Sequence, residues 1–171
     1  MRNRVIVAAI FTALIIFFIV VVIKIIQYNQ IVRSKETLQL NGFKTLANQS
    51  FKPGIKFEES KVIVLYFSPD CEYCQQEVGD IINHKQLFSN NCIVLISGAS
   101  NQALKSFCSA LHIDTAGNFI VLRDTADVFS KKFGLSAIPT TFLFGSNHKR
   151  LFKLEGGRPA ALLASLLHNT K

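Results

Sequence analysis

Two cysteines three positions apart, with a carboxylate three positions further on, are the residues of this chain best suited to chemistry. The stretch reads SPDCEYCQQE, so the thiols belong to Cys71 and Cys74 and the carboxylate to Glu77. Two thiols at this spacing serve as a metal clamp, as a structural cross-link or as a reversible carrier of electrons. The rest of the sequence has to discriminate between these three functions.

The sequence offers few further ligands for a metal site at this cysteine pair. A structural zinc site needs four ligands, usually a second cysteine pair or a histidine pair at related spacing. The other cysteines, Cys92 and Cys108, are isolated, and the four histidines fall on separate predicted elements. Copper delivery stays open, but Met1 is the only methionine and no histidine neighbours the pair. We therefore predict neither a metal site nor a cofactor.

A permanent cross-link is a poor explanation as well, because a bridge across two residues closes a tiny loop and removes little entropy from the unfolded chain. A reversible disulfide fits the position of the pair. Cys71 follows a buried-type strand and opens a helix, where free N–H groups and the helix dipole favour the thiolate, the form that attacks disulfides. We expect Cys71 to be the nucleophile and Cys74 to resolve the mixed disulfide.

Glu77 lies on the same predicted helix face as Cys74, because residues three apart are neighbours on a helix. A partly buried carboxylate at this place accepts the proton that Cys74 must lose, although its negative charge also raises the pKa of nearby thiols. A solvated helix glutamate is the alternative, and spacing alone does not decide between the two.

The apolar pattern predicts the elements that position the pair. Continuous apolar runs, typical of strands covered on both faces, alternate with helical periodicity, and a hairpin and a last helix close the chain. The predicted strands are 61–67, 92–97, 118–124, 140–144 and 150–156, and the predicted helices are 71–88 (capped by Ser68 or Asp70), 101–112, 126–133 and 158–168. Helical connections of this length imply parallel pairing among the strands in the first half of the domain, and the hairpin implies antiparallel pairing in the last part. We therefore expect an α/β fold with a mixed sheet and helices on both of its faces.

A long apolar run lies near the amino terminus. Val5 to Ile23 spans 19 residues and holds one polar residue, Thr12. As a helix it would cover nearly the ~30 Å apolar core of a bilayer, and it lacks the small residues of a signal-peptide cleavage site. We predict a transmembrane anchor at 1–28, a tether with the first short strands at 29–52, and an α/β domain at 53–171. Positive charges flank the run on both sides and do not set its orientation.

The formal net charge of +8 does not indicate a nucleic-acid partner. From Leu38 onward the chain has 14 Lys or Arg and 10 Asp or Glu, so half of the excess lies around the predicted anchor. No run of five like charges occurs. The pattern predicts a solvated, mildly basic surface that binds no nucleic acid.

Taken together, these residues resemble the thioredoxin superfamily, and specifically the TlpA/ResA-like membrane-anchored thiol-disulfide oxidoreductases. The resemblance runs from about Gly54 to the end of the chain. It rests on the strand VIVLYF, on the stretch 71–74 that follows it, and on Ile138-Pro139-Thr140 before a later strand. It implies a thioredoxin-like three-layer fold in which a cis Pro139 faces the cysteine pair.

The resemblance also implies roles for single residues. Glu77 would tune the thiols together with Pro139, and Tyr73, Ile138 and Thr140 would contact the substrate. Cys71 would attack a disulfide of an extracytoplasmic protein and Cys74 would release the reduced client, in cytochrome c maturation or in general redox homeostasis. The implied location is the bacterial cytoplasmic membrane, with the bilayer bound by Val5 to Ile23, the domain on the periplasmic or outer side, and a membrane protein as electron donor.

The chain also departs from that family. Asp70 stands at the usual tryptophan position, and Glu72-Tyr73 replaces Gly-Pro or Glu-Pro between the cysteines, so the redox potential and the direction of exchange are not implied.

Other interpretations stay open. A peroxiredoxin carries PxxxTxxC, which would align Val64 with the proline and Ser68 with the threonine. A membrane-tethered binding or chaperone module without redox turnover, and a metal carrier, are further alternatives. Cys92 and Cys108 are predicted at the same end of the sheet, where a second disulfide is conceivable in an oxidising compartment.

Overall fold

The computed structural model describes residues 11, 14–24, 37–113, 115 and 117–170. The chain divides by its contacts into two units, Met1–Glu36 and Thr37–Lys171. In the first unit the described residues are helical, at 11 and 14–24. Within the described ranges, no helix combines the length and the apolar character needed to cross a membrane. Residues 1–10, 12, 13 and 25–28 of the predicted anchor lie outside the described residues.

A six-stranded mixed sheet forms the centre of the second unit. Its strands are β1 (Lys44–Thr45), β2 (Lys61–Tyr66), β3 (Asn91–Ser97), β4 (Phe119–Arg123), β5 (Thr140–Phe144) and β6 (Arg150–Glu155), in the order β1-β4-β3-β2-β5-β6. Strands β2, β3 and β4 are parallel, whereas β1, β5 and β6 run antiparallel to their neighbours. The mixed sheet predicted from the apolar runs is confirmed.

The helices are α1 (Ile55–Glu59), α2 (Glu72–Asn83), α3 (Asn101–Ala110), α4 (Val128–Phe133) and α5 (Ala160–His168), and a 3₁₀ turn covers Lys85–Phe88. Helix α2 therefore ends five residues before the predicted end at 88. At its end, the backbone nitrogen and the ring Nδ1 of His84 both contact the carbonyl oxygen of Asp80, at 3.1 and 3.0 Å. The single-turn α1 has too few residues for a periodic pattern, which explains why the sequence did not predict it.

Two apolar clusters lie on the two faces of the sheet, because successive strand residues point to opposite sides. Ile63 and Leu65 of β2 belong to the cluster covered by α2, α3 and α5, whereas Val62 and Val64 belong to the cluster covered by α1 and α4. The second cluster also contains Leu38, Leu40 and Phe43, which the sequence assigned to the tether. By its contacts the folded unit therefore begins at Thr37, within the range that the sequence assigned to the tether and the first strands.

Strand pairing brings the predicted site residues to one edge of the sheet. The chain leaves the carboxyl end of β2 and enters α2 at Cys71 within a few residues. Thr140 pairs with Tyr66, so Pro139 lies beside the same end of β2. The register thus places the cysteine pair and the proline at the same end of β2.

The two remaining cysteines lie on opposite faces of this sheet. Cys92 is buried in the cluster of α1 and α4, with its sulfur 3.7 Å from the carbonyl oxygen of Lys56. Cys108 is buried in the cluster of α2, α3 and α5. All four cysteines are free thiols. The conceivable bridge between Cys92 and Cys108 is incompatible with this fold, because the side chain of Cys92 points away from the face that α3 covers.

Candidate active site

Cys71 caps the helix that carries its partner. Its backbone is extended (φ −88°, ψ 114°), and its Sγ accepts a hydrogen bond from the backbone N–H of Cys74 at 3.3 Å. The predicted capping by Ser68 or Asp70 is therefore wrong, because the thiol itself takes the capping position. A half-buried sulfur at a helix N-terminus is well placed for attack on an incoming disulfide.

Cys74 is fully buried behind Cys71. Burial raises the pKa of the Cys74 thiol to about 12, the hydrogen bond to the Cys71 thiol adds to the effect, and a hydrogen bond from the Ser68 backbone opposes it. The thiolate of Cys74 is therefore rare at neutral pH. Resolution of a mixed disulfide needs a group that takes its proton.

Glu77 is a buried carboxyl group on the same face of α2 as Cys74. Only 3% of it is exposed, so the alternative of a solvated helix glutamate is wrong. The Thr141 hydroxyl donates to its Oε1 at 2.6 Å, and its Oε2 has no hydrogen-bond partner in the described part of the chain. Burial raises the pKa of Glu77 to about 7, although Thr141 and Arg158 lower it. Glu77 is therefore able to exchange a proton near neutral pH.

Glu77 borders a cleft of about 340 Å³ beside the cysteine helix. Its walls come from α2 and from the segment between β6 and α5, and its lining residues are Tyr73, Gln76, Glu77, Asp80, Gly157, Arg158 and Pro159. The cleft gives the buried carboxyl group a short route to solvent.

The peptide bond between Ile138 and Pro139 is cis, as the resemblance implied. The Pro139 carbonyl accepts a hydrogen bond from Gly156 N at 2.8 Å, and the Thr140 hydroxyl donates to Ala137 O at 2.6 Å. Thr140 is fully buried, so its side chain fastens this loop and does not offer a substrate contact. Tyr73 and Ile138 are 69% and 46% exposed. These two apolar side chains remain suitable for contact with a client.

Several residues of the site were not predicted from the sequence. Thr141 had a signal, since it is a polar residue inside an otherwise apolar run. Asp80 lies three residues after Glu77 and accepts a hydrogen bond from Ala160 N at 2.6 Å, which ties α2 to the start of α5. Arg158 had no signal, because only the fold brings the end of β6 to the cysteine helix.

Among the residues that the structure describes, no three His, Cys, Asp or Glu side chains come together as a metal site. Cys92 and Cys108 belong to the two separate cores and do not approach the pair.

The chain belongs to the AhpC/TSA family, whose model matches residues 43–149. The matched range includes Cys71, Cys74, Glu77 and Pro139. The predicted membership of the thioredoxin superfamily is confirmed, and the family and the fold are consistent with the predicted oxidoreductase. No curated protein matches the chain in sequence.

Solved structures share the fold at low sequence identity. A secreted disulfide oxidoreductase of Mycobacterium tuberculosis homologous to E. coli DsbE has 18% identity and a TM-score of 0.63, with 77% of this chain and 97% of that one covered. StoA from Bacillus subtilis has 18% identity, a TM-score of 0.58 and coverages of 72% and 92%. The peroxidoxin BcpB from Mycobacterium tuberculosis has 14% identity, a TM-score of 0.64 and coverages of 80% and 98%.

Proposed function

We propose that this protein is a thiol-disulfide oxidoreductase that reduces disulfides of extracytoplasmic proteins through Cys71 and Cys74. One observation carries the proposal: α2 aligns a half-buried sulfur at its N-terminus, a fully buried sulfur behind it and the buried Glu77 carboxyl group. The cis Pro139 lies beside the same end of β2. The arrangement supplies a nucleophile, a resolving thiol and a proton acceptor in sequence along one helix.

The reaction proceeds in two exchanges. The Cys71 thiolate attacks one sulfur of the client disulfide, the client S–S bond breaks, and the other client sulfur leaves as a thiolate that is protonated from solvent. Glu77 then takes the proton of Cys74, whose sulfur attacks the Cys71 sulfur of the mixed disulfide. The second client thiolate leaves and collects the proton from Glu77. Two electrons pass to the client, and the Cys71–Cys74 pair becomes a disulfide.

Exposed apolar side chains next to the cysteines support a protein client. Tyr73 stands between the two cysteines in sequence and Ile138 precedes the cis proline, and both side chains reach solvent. An extended client segment passing between them would present its disulfide to Cys71. Small disulfides such as oxidised glutathione would use only part of this surface.

The apolar amino-terminal segment supports attachment to a membrane. The resemblance to the TlpA/ResA-like proteins supports the bacterial cytoplasmic membrane, with the catalytic unit on its periplasmic or outer side. The predicted span Val5 to Ile23 is apolar apart from Thr12, and the described side chains at 11 and 14–23 are exposed. A membrane protein would return electrons to the pair. Membrane fractionation and labelling of Cys71 in whole cells with a membrane-impermeant thiol reagent test this placement, and a protein protected from the reagent would contradict it.

Trapping of mixed disulfides tests the activity. Cys74→Ser should accumulate a covalent complex with a disulfide-bonded client, whereas Cys71→Ser, which keeps the buried thiol, should accumulate none. A redox titration gives the direction of exchange: a midpoint near that of thioredoxin, about −270 mV, supports reduction, and one near about −120 mV indicates an oxidant. Equal trapping by both variants would contradict the assigned order of attack.

A second candidate function is peroxide reduction, which the AhpC/TSA match and the likeness to the peroxidoxin BcpB favour. The Cys71 thiolate would attack a peroxide, release water or an alcohol and become a sulfenic acid, which Cys74 would convert to the disulfide with loss of water. Consumption of hydrogen peroxide by the reduced protein at a rate exceeding its exchange with disulfides would establish this function instead.

A further inference from the structure

The segment Gly156–Pro159, between β6 and α5, forms one wall of the cleft at Glu77. Hydrogen bonds fix it at both ends. Gly156 N donates to Pro139 O at 2.8 Å, and Ala160 N donates to Asp80 Oδ2 at 2.6 Å. Between these anchors, Nη2 of Arg158 donates to Glu155 O at 2.9 Å. The segment is therefore held between the cis-proline loop and the cysteine helix.

Arg158 is the cationic side chain among the described residues that line this cleft. Its backbone amide and its charge both act on the buried carboxyl group of Glu77, whose Oε2 has no hydrogen-bond partner in the described residues. A positive charge at the rim of a cleft favours an ionised carboxylate within it. Arg158 thus opposes the burial that disfavours the charged form of Glu77.

The other groups that face Glu77 do not supply a positive charge. Helix α2 contributes Cys74 and Asp80, and the negative charge of Asp80 raises the pKa of Glu77. Asp80 is itself paired with His84, whose Nδ1 is 3.0 Å from Asp80 Oδ1. Strand β5 contributes the Thr141 hydroxyl, which donates to Glu77. Tyr73 also lines the cleft.

Given the proposed reductase function, we propose that Arg158 is a positioning residue, which holds its charge at the mouth of the cleft and increases the fraction of Glu77 that is in the proton-accepting form near neutral pH. Arg158 contacts neither sulfur and takes no proton itself. It acts on the second exchange, in which Cys74 must lose its proton to attack Cys71. A purely solvated surface arginine would leave that step unchanged.

Titration of Glu77 in the reduced protein, followed through the ¹³C resonance of its side-chain carboxyl group, tests the proposal directly. Arg158→Gln should move the midpoint upward by roughly 0.2–0.7 pH units, the range that a screened charge pair supports. Arg158→Lys should restore it, because the charge is kept. Lys149→Gln removes one exposed charge at the opposite end of the β5–β6 hairpin and serves as the matched control. An unmoved midpoint in Arg158→Gln, or one that Lys149→Gln moves equally, overturns the proposal.

The pH profile of the second exchange gives an independent readout. A mixed disulfide between Cys71 and a chromogenic thiol is formed, and release of that thiol is followed in a single turnover. In Arg158→Gln the rise of the rate with pH should move to higher pH by the same amount, which makes release roughly 1.5- to 5-fold slower at about pH 6. The rate well above the midpoint should be unchanged. In the Glu77→Gln background, the Arg158 substitution should have no effect on the profile.

The two readouts separate failure of this proposal from failure of the proposed function. If Glu77→Gln leaves thiol release unchanged, the proton-acceptor step is wrong, whatever Arg158 does. If Glu77→Gln slows thiol release but Arg158→Gln changes neither the titration midpoint of Glu77 nor the pH profile of release, the reductase mechanism stands and the role of Arg158 is refuted.

Discussion

Burial separates the two sulfurs of the pair at the scale of single residues. Cys71 reaches solvent, whereas Cys74 is fully buried and has a pKa raised to about 12 by that burial. The same interior raises the pKa of Glu77 to about 7. One apolar environment thus keeps the second thiol from solvent and raises the pKa of the Glu77 carboxyl group into the neutral range, which the proposed proton-acceptor role requires.

Alkylation of the native, reduced protein with iodoacetamide should modify Cys71 and leave Cys74 unmodified. At about pH 8 only about one Cys74 thiol in ten thousand is ionised, and its sulfur is not accessible. Peptide mapping by mass spectrometry measures the modification at each cysteine. Unfolded protein, in which all four thiols should react, is the control. Faster labelling of Cys74 than of Cys71 would contradict the assigned roles.

Glu77→Gln should stabilise the fold at alkaline pH. The folded protein holds the Glu77 proton up to about pH 7, whereas an ordinary glutamate loses it near 4.5. The stability that the neutral carboxyl group gives is fully present below about pH 4.5, decreases as the pH rises and is lost above about 7. The shift corresponds to an upper bound of about 3 kcal/mol.

Chemical unfolding of wild type and Glu77→Gln across this pH range measures the effect. The two proteins should differ little at acidic pH, because a glutamine amide is similar in shape to a neutral carboxyl group and keeps an acceptor for Thr141. A constant difference between wild type and Glu77→Gln at all pH values would contradict the buried-acid interpretation.

At the scale of elements, a buried carboxylate starts α4. Asp124 accepts hydrogen bonds from the backbone N–H groups of Val128, Phe129 and Ser130, at 2.7, 2.9 and 3.4 Å. Asp127 occupies the N-cap position but makes no side-chain capping bond there. The free N–H groups at the start of α4 are therefore hydrogen-bonded by a residue that lies four positions before the first residue of the helix.

Asp124→Ala should destabilise the protein by roughly 2–4 kcal/mol, because buried N–H groups lose a charged acceptor. Asp127→Asn is the matched control, since asparagine tolerates the left-handed backbone of this position (φ 53°) and should cost little. Thermal unfolding measures both changes. Equal losses in the two variants would contradict the assignment of the cap to Asp124 alone.

Gly79→Ala in α2 should stabilise the protein by about 0.5–1 kcal/mol. Gly79 lies inside the helix, and an added Cβ would meet nothing within 4 Å, so the change mainly reduces the entropy of the unfolded chain. Gly134→Ala is the contrasting variant. Gly134 ends α4 with φ +58°, so alanine there should destabilise the fold. Chemical unfolding gives both signs, and a loss of stability in Gly79→Ala would contradict the open space at that position.

The sequence predicted the elements whose patterns are strong. Continuous apolar runs located β2 and β3, and the spacing of Cys71, Cys74 and Glu77 placed all three on one helix. It missed contacts that depend on tertiary neighbours, such as the Thr141–Glu77 hydrogen bond and the approach of Arg158. It also did not determine the face of the sheet on which Cys92 lies, because a uniformly apolar run does not show to which side a doubly buried strand points each residue.

At the scale of the whole molecule, the start of the folded unit has a measurable consequence. Both apolar clusters consist of residues from Leu38 onward, so a fragment of residues 37–171 should fold and keep the reactive thiol pair. A fragment of residues 53–171 loses Leu38, Leu40 and Phe43, each worth about 1.5–3 kcal/mol of buried side chain. Cooperative unfolding of the longer fragment and loss of cooperativity in the shorter one are expected, and similar stability of both would contradict the boundary.

The placement of Cys92 and Cys108 in the two separate interiors also matters for oxidation of the intact molecule. Of the six ways in which four thiols pair two at a time, the folded chain permits one, so an oxidant acting on native protein generates a single intramolecular disulfide. Scrambled isomers can arise only from chains that have unfolded first. A homogeneous oxidised product therefore reports that the protein kept its fold throughout the redox cycle.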